Sequence, residues 1–469
     1  MLKLQTDPAS PAPTQSHPAG GAAAMSSRTR ALLDAPVVPL LLRLAWPNIL
    51  VMLAQSSTGL IEMAFIARLG IDALTGMALV LPVLILMQNM SQGAMGGGIS
   101  SAIARALGGQ RRAEADSLVL HALLINAGFG LTFSALVLLF GRPLFAVLGG
   151  SGASLDAALT YSHILFAGMV LLWIFNALAS IIRGTGNMLV PGIVICGGAV
   201  LLAPLSYALI LGLGPIPSFG IAGGAIAMLL YYAIGAAILG WYVASGRNVA
   251  RFAWTRLHLP YAWNILKVGA VAAVNTIQLN VTIAVTMGLV AAHAGPGAVA
   301  GFGTGTRLEY LLPPLAFGLG GPLVALVGTN IGAGQNRRAL RIALIGGAFA
   351  FALTETVGLA AALWPAAWLG LFDATPEMLE VGTVYLRIVG PFFGFFGLGM
   401  TLYFASQGAG RLGWPLLASL LRMIIATGGG ALVLSATGSL YWLFAVYACG
   451  LFAYGAVVGV SVASGSWFR

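Results

Sequence analysis

Three glutamates fall deep inside long apolar runs, where an ionised carboxylate is costly: Glu62, Glu309 and Glu355. Asn48, Gln55 and Glu62 recur at helical spacing on one face, which aims a polar stripe at the interior of a helix bundle. Because burial disfavours the ionised form of a carboxyl group, a glutamate on such a stripe can bind and release a proton. We therefore predict that Glu62 is a cation-coupling residue; the alternative is a structural, hydrogen-bonded Glu.

Glu309 follows Arg307 by two positions, so the two side chains leave different faces of one helix and need partners on neighbouring helices. Glu309 is a second candidate for cation coupling and for substrate contact, and a structural ion pair or gate is equally open. For Glu355 we favour a local hydrogen bond or an interfacial position, since long side chains reach the interface readily.

Other polar side chains recur at helical spacing and could line a substrate cavity. The candidate set is Gln55, Gln88, Gln92, Asn176, Asn275, Gln278, Arg307 and Glu309. For any one of them, a hydrogen bond between packed membrane helices is the commoner explanation. The 15 Met, 22 Phe and 10 Trp residues supply adaptable apolar surface suited to promiscuous binding.

The sequence carries no pattern typical of an enzyme. The loop at 109–112 (GQRR) lacks the Lys and Ser/Thr of a phosphate-binding loop and follows no strand. No zinc-ligand cluster or nucleophile elbow is present. We predict no catalytic residue, no metal site and no cofactor apart from a coupling ion, H⁺ or Na⁺.

Composition points to a lipid environment. Hydrophobic residues make up 59% of the chain and charged residues 7%, with a mean hydropathy of +0.96, whereas soluble domains are about a quarter charged. The net charge of +10 comes from basic residues in short loops, which favours membrane orientation over nucleic-acid binding. Residues 1–34, rich in Pro, Ala, Ser and Gly, are predicted to form a disordered cytoplasmic tail.

Twelve apolar runs are long enough to cross a bilayer, which needs about 20 residues each. They are roughly 43–67, 74–104, 114–140, 158–182, 189–212, 219–244, 264–292, 298–330, 339–364, 380–405, 414–434 and 440–463. We predict an all-α membrane protein with a six-helix lobe at 35–244, a cytoplasmic linker at 245–263 and a second six-helix lobe at 264–469.

Lys and Arg residues set the orientation, because they accumulate in cytoplasmic segments. With a cytoplasmic N-terminus, the outer loops carry only Arg68, Arg142 and Arg387. All the other arginines that we place outside the spans lie on the cytoplasmic side, and these include Arg183 and Arg422. Twelve spans then place both termini in the cytoplasm. We predict a monomeric, multi-pass protein of the inner membrane that contacts lipid and a small-molecule substrate.

The two halves repeat. Residues 183–187 (RGTGN), followed by Pro191, match residues 407–411 (QGAGR), followed by Pro415, at an offset of 224. The glycines and alanine at 70, 73 and 76 match those at 295, 298 and 301, and the loop at 109–113 matches 334–339. Repeats of six spans share one orientation, so the lobes are related by a pseudo-two-fold axis along the membrane normal and rock around a cavity between them.

These loops, in this order, resemble the multidrug and toxic compound extrusion (MATE) family of cation-coupled efflux transporters. The matching segments are 93–113, 183–187 and 328–338 (GTNIGAGQNRR), and the resemblance covers about 35–463. It implies two lobes in a V, with helices one, two, seven and eight bordering the cavity. The resemblance also implies that a cation gradient drives drug export.

The chain departs from the family at the usual coupling positions. Glu62 stands at the first-span Asp position, and apolar or weakly polar residues stand at the others: Leu202, Ser206, Leu279 and Phe396. A Na⁺ site built from several carboxylates is therefore disfavoured. We predict H⁺ rather than Na⁺ coupling.

The resulting prediction is a secondary multidrug efflux transporter that exports small cationic or amphipathic molecules by cation antiport with alternating access. The alternative is a flippase for lipid-linked precursors of the same superfamily. Such flippases carry several cationic residues in the central cavity, whereas the sequence indicates only Arg307 within a span. An intramembrane enzyme would need a convergent catalytic set, and a channel would need a repeated selectivity loop.

Overall fold

The computed structural model describes residues 26–372 and 375–468. Within these ranges, eleven helices are long and apolar enough to cross a membrane, and one bent pair makes a twelfth span. The spans are α1 (Val37–Leu69), α2 (Ile71–Gly108), α3 (Arg112–Val147), α4 (Gly152–Ala167 with Val170–Gly184), α5 (Leu189–Leu211), α6 (Ile221–Ala244), α7 (Leu259–His293), α8 (Pro296–Gly332), α9 (Asn336–Leu363), α10 (Pro376–Ala409), α11 (Gly413–Thr437) and α12 (Leu440–Ala463). The predicted all-α class is confirmed, and the predicted number of twelve spans is reached when the bent pair is counted as one span.

The N-terminal prediction needs a correction. Residues 1–25 lie outside the described residues, but Ser27–Asp34 is a helix where we predicted disorder. The Ser26 hydroxyl caps this helix by accepting a hydrogen bond from the backbone N–H of Thr29 at 3.1 Å. Its Leu32 side chain is buried, and the Leu32 carbonyl accepts a hydrogen bond from Asn330 Nδ2 at 3.1 Å. Capping and burial together stabilise a segment that composition alone marks as unstructured.

The predicted linker at 245–263 is shorter in the structure. Residues 251–258 have no regular secondary structure, and α7 begins at Leu259. Pro260 stands in the first turn of α7, where a missing N–H removes no helical hydrogen bond.

Repeat-related positions interrupt two spans. The two segments of α4 are bent by 49° at residues 168–169, and α10 contains a 3₁₀ turn at Gly390–Phe392. Adding 224 to residue 168 gives residue 392, so both breaks occupy the same place in the repeat. The local geometry therefore follows the repeat that the loop motifs predict.

The first halves of α1 and α7 are exchanged between the lobes. At the start of α1, Leu41 joins the hydrophobic core of the C-terminal lobe, and Asn48 Nδ2 donates a hydrogen bond to the Phe317 carbonyl of α8 at 2.9 Å. At the start of α7, Ile265 joins the core of the N-terminal lobe. Both helices then run into their own lobes, so each lobe is completed by the first half of a helix from the other lobe.

The lobes meet most closely where α2 and α8 end, a contact that we call the α2–α8 junction (residues 104–109 and 328–333). Gly108 packs against the Thr329 backbone, and Gly332 packs against the Arg105 backbone, each too closely for a Cβ atom. Adding 224 to residues 105 and 108 gives 329 and 332, so the two contacts are reciprocal. Such reciprocity is the signature of a two-fold interface, and it locates the pseudo-two-fold axis at the junction.

Candidate functional site

Glu62 is buried between three helices of the N-terminal lobe. Its side chain is 1% exposed, and Oε1 accepts a hydrogen bond from the Tyr161 hydroxyl of α4 at 2.7 Å. Gly224 of α6 lies so close that a Cβ atom there would stand 2.8 Å from Oε1. Oε2 is buried and has no hydrogen-bond partner among the described residues. The carboxyl group is thus desolvated and supported by a single donor.

No described Lys or Arg side chain forms an ion pair with Glu62; the described ion pairs are Arg111–Glu114 and Arg422–Glu309. A buried carboxylate without a cation is destabilising, and a proton or a small cation would neutralise it. This arrangement can therefore take up and release a positive charge.

Glu309 has the opposite environment. Its side chain is 2% exposed, and Oε1 forms an ion pair with Arg422 Nη2 of α11 at 2.9 Å. The hydroxyls of Tyr385 and Tyr447 each donate a hydrogen bond to Oε2 at 2.9 Å. Arg422 also places its Cζ 5.1 Å from the centre of the Phe396 ring, a cation–π contact. Glu309 is charge-compensated and hydrogen-bonded, as a structural ion pair requires.

Arg422 corrects the sequence analysis, which assigned this residue to the inner segments and Arg307 alone to a span. Arg422 is 3% exposed and lies inside α11, whereas Arg307 is exposed and lies 5.3 Å from the centre of the Phe372 ring. Arg422 is the only charged residue in the apolar run 414–434. This feature of the sequence could have identified it as a residue within a span.

A small cavity of about 20 Å³, room for about one water molecule, lies between the lobes next to the α2–α8 junction. Its N-terminal wall carries Gln92, Ser100, Ser180 and Arg183, and its C-terminal wall carries Phe317, Val324, Phe404 and Gln407. Arg183 is 5% exposed, and its Nη2 atom is buried without an acceptor among the described residues. The sequence analysis placed Arg183 in an inner loop and missed it as a cavity residue.

Of the predicted cavity residues, Gln92 lies on the cavity wall. Its side-chain amide exchanges two hydrogen bonds with that of Gln55 on α1, at 3.1 Å and 3.3 Å. This pair connects the polar stripe of α1 to the cavity wall. Gln55 itself does not line the cavity but contacts Gln92, which does.

Three other candidates make hydrogen bonds within one lobe, which is the alternative that we had left open for them. Gln88 donates to the Tyr232 hydroxyl at 3.0 Å, and Asn176 donates to the Ser91 hydroxyl at 3.2 Å, both in the N-terminal lobe. Gln278 donates to the Ser419 carbonyl in the C-terminal lobe. Asn275 is half-buried. Glu355 of α9 accepts a hydrogen bond from the Gly394 N–H of α10 at 2.7 Å, a contact between two helices of the C-terminal lobe rather than the local hydrogen bond that we favoured.

Comparison with known proteins defines the family. The MatE family model matches residues 47–208 and 272–432, one segment in each half of the chain. The chain is 28% identical over 377 residues to the FAD transporter of Shewanella oneidensis, covering 80% of this chain and 82% of that protein.

It is 29% identical over 431 residues to the probable multidrug resistance protein NorM of Deinococcus radiodurans, covering 85% of this chain and 88% of the relative. A crystal structure of MATE in the bent conformation superposes with a TM-score of 0.85 at 21% identity, covering 94% of this chain and 97% of the other, and it shows the shared fold. With more than half of its length matched by the family model, this multi-pass integral membrane protein belongs to the MatE family.

Proposed function

We propose that this protein is a secondary active transporter that exports small amphipathic molecules by alternating access, driven by H⁺. The observation that carries the proposal is the environment of Glu62: a carboxyl group that is 1% exposed, with one hydrogen-bond donor and no described cation. The relatives named as probable multidrug resistance proteins support export of small molecules, and the relative named as an FAD transporter extends the range of substrates to consider.

The surroundings of Glu62 favour H⁺ over Na⁺. A hard cation requires several oxygen ligands, whereas the described hydrogen-bond partner of Glu62 is the Tyr161 hydroxyl alone. A proton needs one oxygen, and Oε2 is free to carry it. Glu309, the second candidate, already holds Arg422, so a further cation there would meet an existing positive charge.

The α2–α8 junction supports an alternating-access cycle. The close reciprocal contacts lie at one end of the lobes, and the exchanged halves of α1 and α7 lie at that same end. We assign this end to the cytoplasm, with both termini, from the distribution of Lys and Arg. Lobes held together at the cytoplasmic end would release substrate to the outside of the inner membrane.

We propose the two lobes, each with the exchanged first half of α1 or α7 that packs in it, as the moving units of a monomer, joined by the cytoplasmic linker at 245–258. Gln55 and Gln92 are proposed substrate contacts, since their amide pair borders the cavity. Four other candidates would contact substrate only after a rearrangement that breaks their present contacts: Gln88, Asn176, Asn275 and Gln278. Arg307 and Glu309 would act on substrate only through such a rearrangement as well.

The alternative function is a flippase for lipid-linked precursors. The burial of two arginines, Arg183 and Arg422, favours a flippase more than the sequence alone did, because the sequence indicated only Arg307 within a span. Arg422, however, is paired with Glu309 within the C-terminal lobe and does not line the cavity. One arginine on the wall is fewer than a pyrophosphate head group needs, so export of smaller molecules is the better-supported proposal.

The test is transport in proteoliposomes with a fluorescent amphipathic dye such as ethidium. We expect an imposed ΔpH, at equal Na⁺ on both sides, to drive dye flux, and a Na⁺ gradient at fixed pH to drive none. Flux that follows only the Na⁺ gradient contradicts H⁺ coupling. Flux that follows neither gradient contradicts secondary export of this dye, and a head-group translocation assay with a lipid-linked pyrophosphate then tests the flippase.

A further inference from the structure

We propose that the N-terminal helix, Ser27–Asp34, is a releasable latch that holds the two lobes together at their cytoplasmic end. The helix is hydrogen-bonded to the C-terminal lobe and inserts one side chain, Leu32, into a notch of the N-terminal lobe. Opening toward the cytoplasm then requires the helix to leave one of the two lobes. This inference rests on the proposed alternating-access cycle and adds a regulatory element to it.

Two hydrogen bonds attach the latch to the C-terminal lobe. Asn330 Nδ2 of α8 donates to the Leu32 carbonyl at 3.1 Å. Arg338 Nη2 of α9 donates to the carbonyl of Ala35, the residue that follows the helix. The Leu32 side chain is 3% exposed and joins the hydrophobic core of this lobe. The latch is therefore carried by the C-terminal lobe, although the chain continues from it into α1.

The same leucine contacts the N-terminal lobe at Gly186. A Cβ atom on Gly186 would stand 2.6 Å from Leu32 Cδ1, so the missing side chain creates the notch that Leu32 fills. The φ angle of Gly186 is +79°, which residues with a side chain rarely adopt, so the loop after α4 requires glycine here. Leu32 thus touches both lobes, and moving the lobes apart at this end breaks one of its contacts.

The other repeat makes the corresponding contact. Adding 224 to residue 186 gives Gly410, which ends α10 with a φ angle of +71°. Arg105 of α2 lies against Gly410, with Nη1 3.0 Å from the place of a Cβ atom, and it donates to the Gly408 carbonyl at 2.9 Å. Each repeat thus presents a left-handed glycine to a side chain that the other lobe holds. The paired motifs at 183–187 and 407–411 are in this way the sites where the lobes are joined.

The latch differs from Arg105 because it can leave. Its buried side chains lie on one face of the helix and are only three: Thr29, Leu32 and Leu33. Isolated helices shorter than about 12–15 residues are marginally stable in water, so this helix of 8 residues stays helical only while it is docked. Release is therefore an order-to-disorder transition, whereas Arg105 is fixed in a spanning helix. The latch is the switchable member of the pair of contacts.

The test measures access to the space between the lobes from the cytoplasmic side. Cys196 and Cys449 are replaced by alanine, and Val324→Cys places a single thiol at a buried position on the cavity wall. A membrane-impermeant maleimide is added to inside-out vesicles, without an ion gradient and without substrate. The rate of labelling reports how often the cytoplasmic end is open.

In this parent, Leu32→Ser should raise the labelling rate at least about tenfold, the equilibrium factor for exposing one leucine side chain. Ala31→Ser introduces the same residue on the exposed face of the same helix and should label at the parental rate. Right-side-out vesicles should show no acceleration, because only the cytoplasmic end opens. A parental rate in folded Leu32→Ser, or an equal acceleration from both sides, overturns the proposal.

If Leu32→Ser does not fold, as judged by gel filtration, Arg338→Met decides, because it keeps Leu32 and removes the donor to Ala35. We expect labelling about fivefold faster, the factor for one hydrogen bond. Arg337→Met removes the neighbouring exposed arginine and is the matched control; equal rates for the two variants overturn the proposal. Because labelling needs no gradient, failure of ΔpH-driven dye flux leaves the latch standing, and parental labelling rates leave H⁺ coupling untouched.

Discussion

Tyr161 and Tyr385 occupy the same position in the two repeats, and each donates a hydrogen bond to a buried glutamate. Tyr161 donates to Glu62 at 2.7 Å, and Tyr385 donates to Glu309 at 2.9 Å. The glutamates themselves are not repeat-related, because Glu62 lies on α1 and Glu309 lies on α8. Both lobes thus bury a Tyr–Glu pair, but among the described residues only the C-terminal pair has an arginine. This difference separates the proton site that we propose from a structural ion pair.

The first prediction concerns Glu62→Gln, which preserves shape and the hydrogen bond from Tyr161 but cannot exchange a proton. We expect it to fold normally and to lose ΔpH-driven export, because a ligand shifts an equilibrium between facing states only through its different affinity for them. Glu62→Asp should retain part of the activity. The measurement is dye flux in proteoliposomes at matched protein levels. Wild-type flux from Glu62→Gln would remove this residue from the mechanism.

The second prediction compares Tyr161→Phe with Tyr385→Phe. Tyr161 is the described donor to Glu62, whereas Glu309 keeps Arg422 and Tyr447 when Tyr385 is changed. A hydrogen bond to a charged group contributes about 1.5–3 kcal/mol. We therefore expect Tyr161→Phe to shift the pH dependence of transport and Tyr385→Phe to leave its shape unchanged. Identical pH profiles for both variants and the wild type would contradict the assignment of the proton site to Glu62.

The third prediction concerns the ion pair between Arg422 and Glu309. Replacing Arg422 with Met leaves a buried carboxylate without its cation, which lowers the free energy of unfolding by about 3–5 kcal/mol. The double variant Arg422→Met with Glu309→Gln should recover most of this loss. Thermal unfolding followed by tryptophan fluorescence measures both. A double variant no more stable than the single one would show that the pair does not act as a charge-compensated unit.

The fourth prediction concerns the α2–α8 junction. Gly108→Ala and Gly332→Ala each place a Cβ against backbone atoms of the other lobe, and overpacking of this kind costs about 1–3 kcal/mol. Because the two contacts are reciprocal, we expect similar losses of thermal stability and of export rate. Gly288→Ala on α7 is the control, since a Cβ there meets nothing within 4 Å. Unchanged stability and rate in both junction variants would argue against tight packing at this end.

Much of the fold follows from sequence because lipid imposes strong rules on single segments. The twelve spans follow from apolar length, the repeat follows from paired loop motifs, and the burial of Glu62 follows from its place on the Asn48–Gln55 stripe. Each of these inferences needs only residues that are close in the chain.

The inferences that failed need contacts between distant helices. Arg422 meets Glu309 across 113 positions, and no local pattern shows which helix faces meet. The distribution of positive charge assigned both Arg183 and Arg422 to the inner side, although Arg422 lies in the middle of α11. The rule that orients a membrane protein thus concealed the two arginines that are buried in the described part of the chain.

The exchanged halves of α1 and α7 affect how the protein is made. During synthesis, α1 emerges first, but its Asn48 amide and Leu41 side chain find their partners only after α8 and the rest of the C-terminal lobe have been inserted. The N-terminal lobe likewise lacks Ile265 until α7 arrives. Neither half can complete its own interior alone. During biogenesis, α1 must therefore remain in the bilayer without its final partners until the C-terminal lobe has been inserted. A chain cut between the repeats should mature only when both fragments are produced in the same cell.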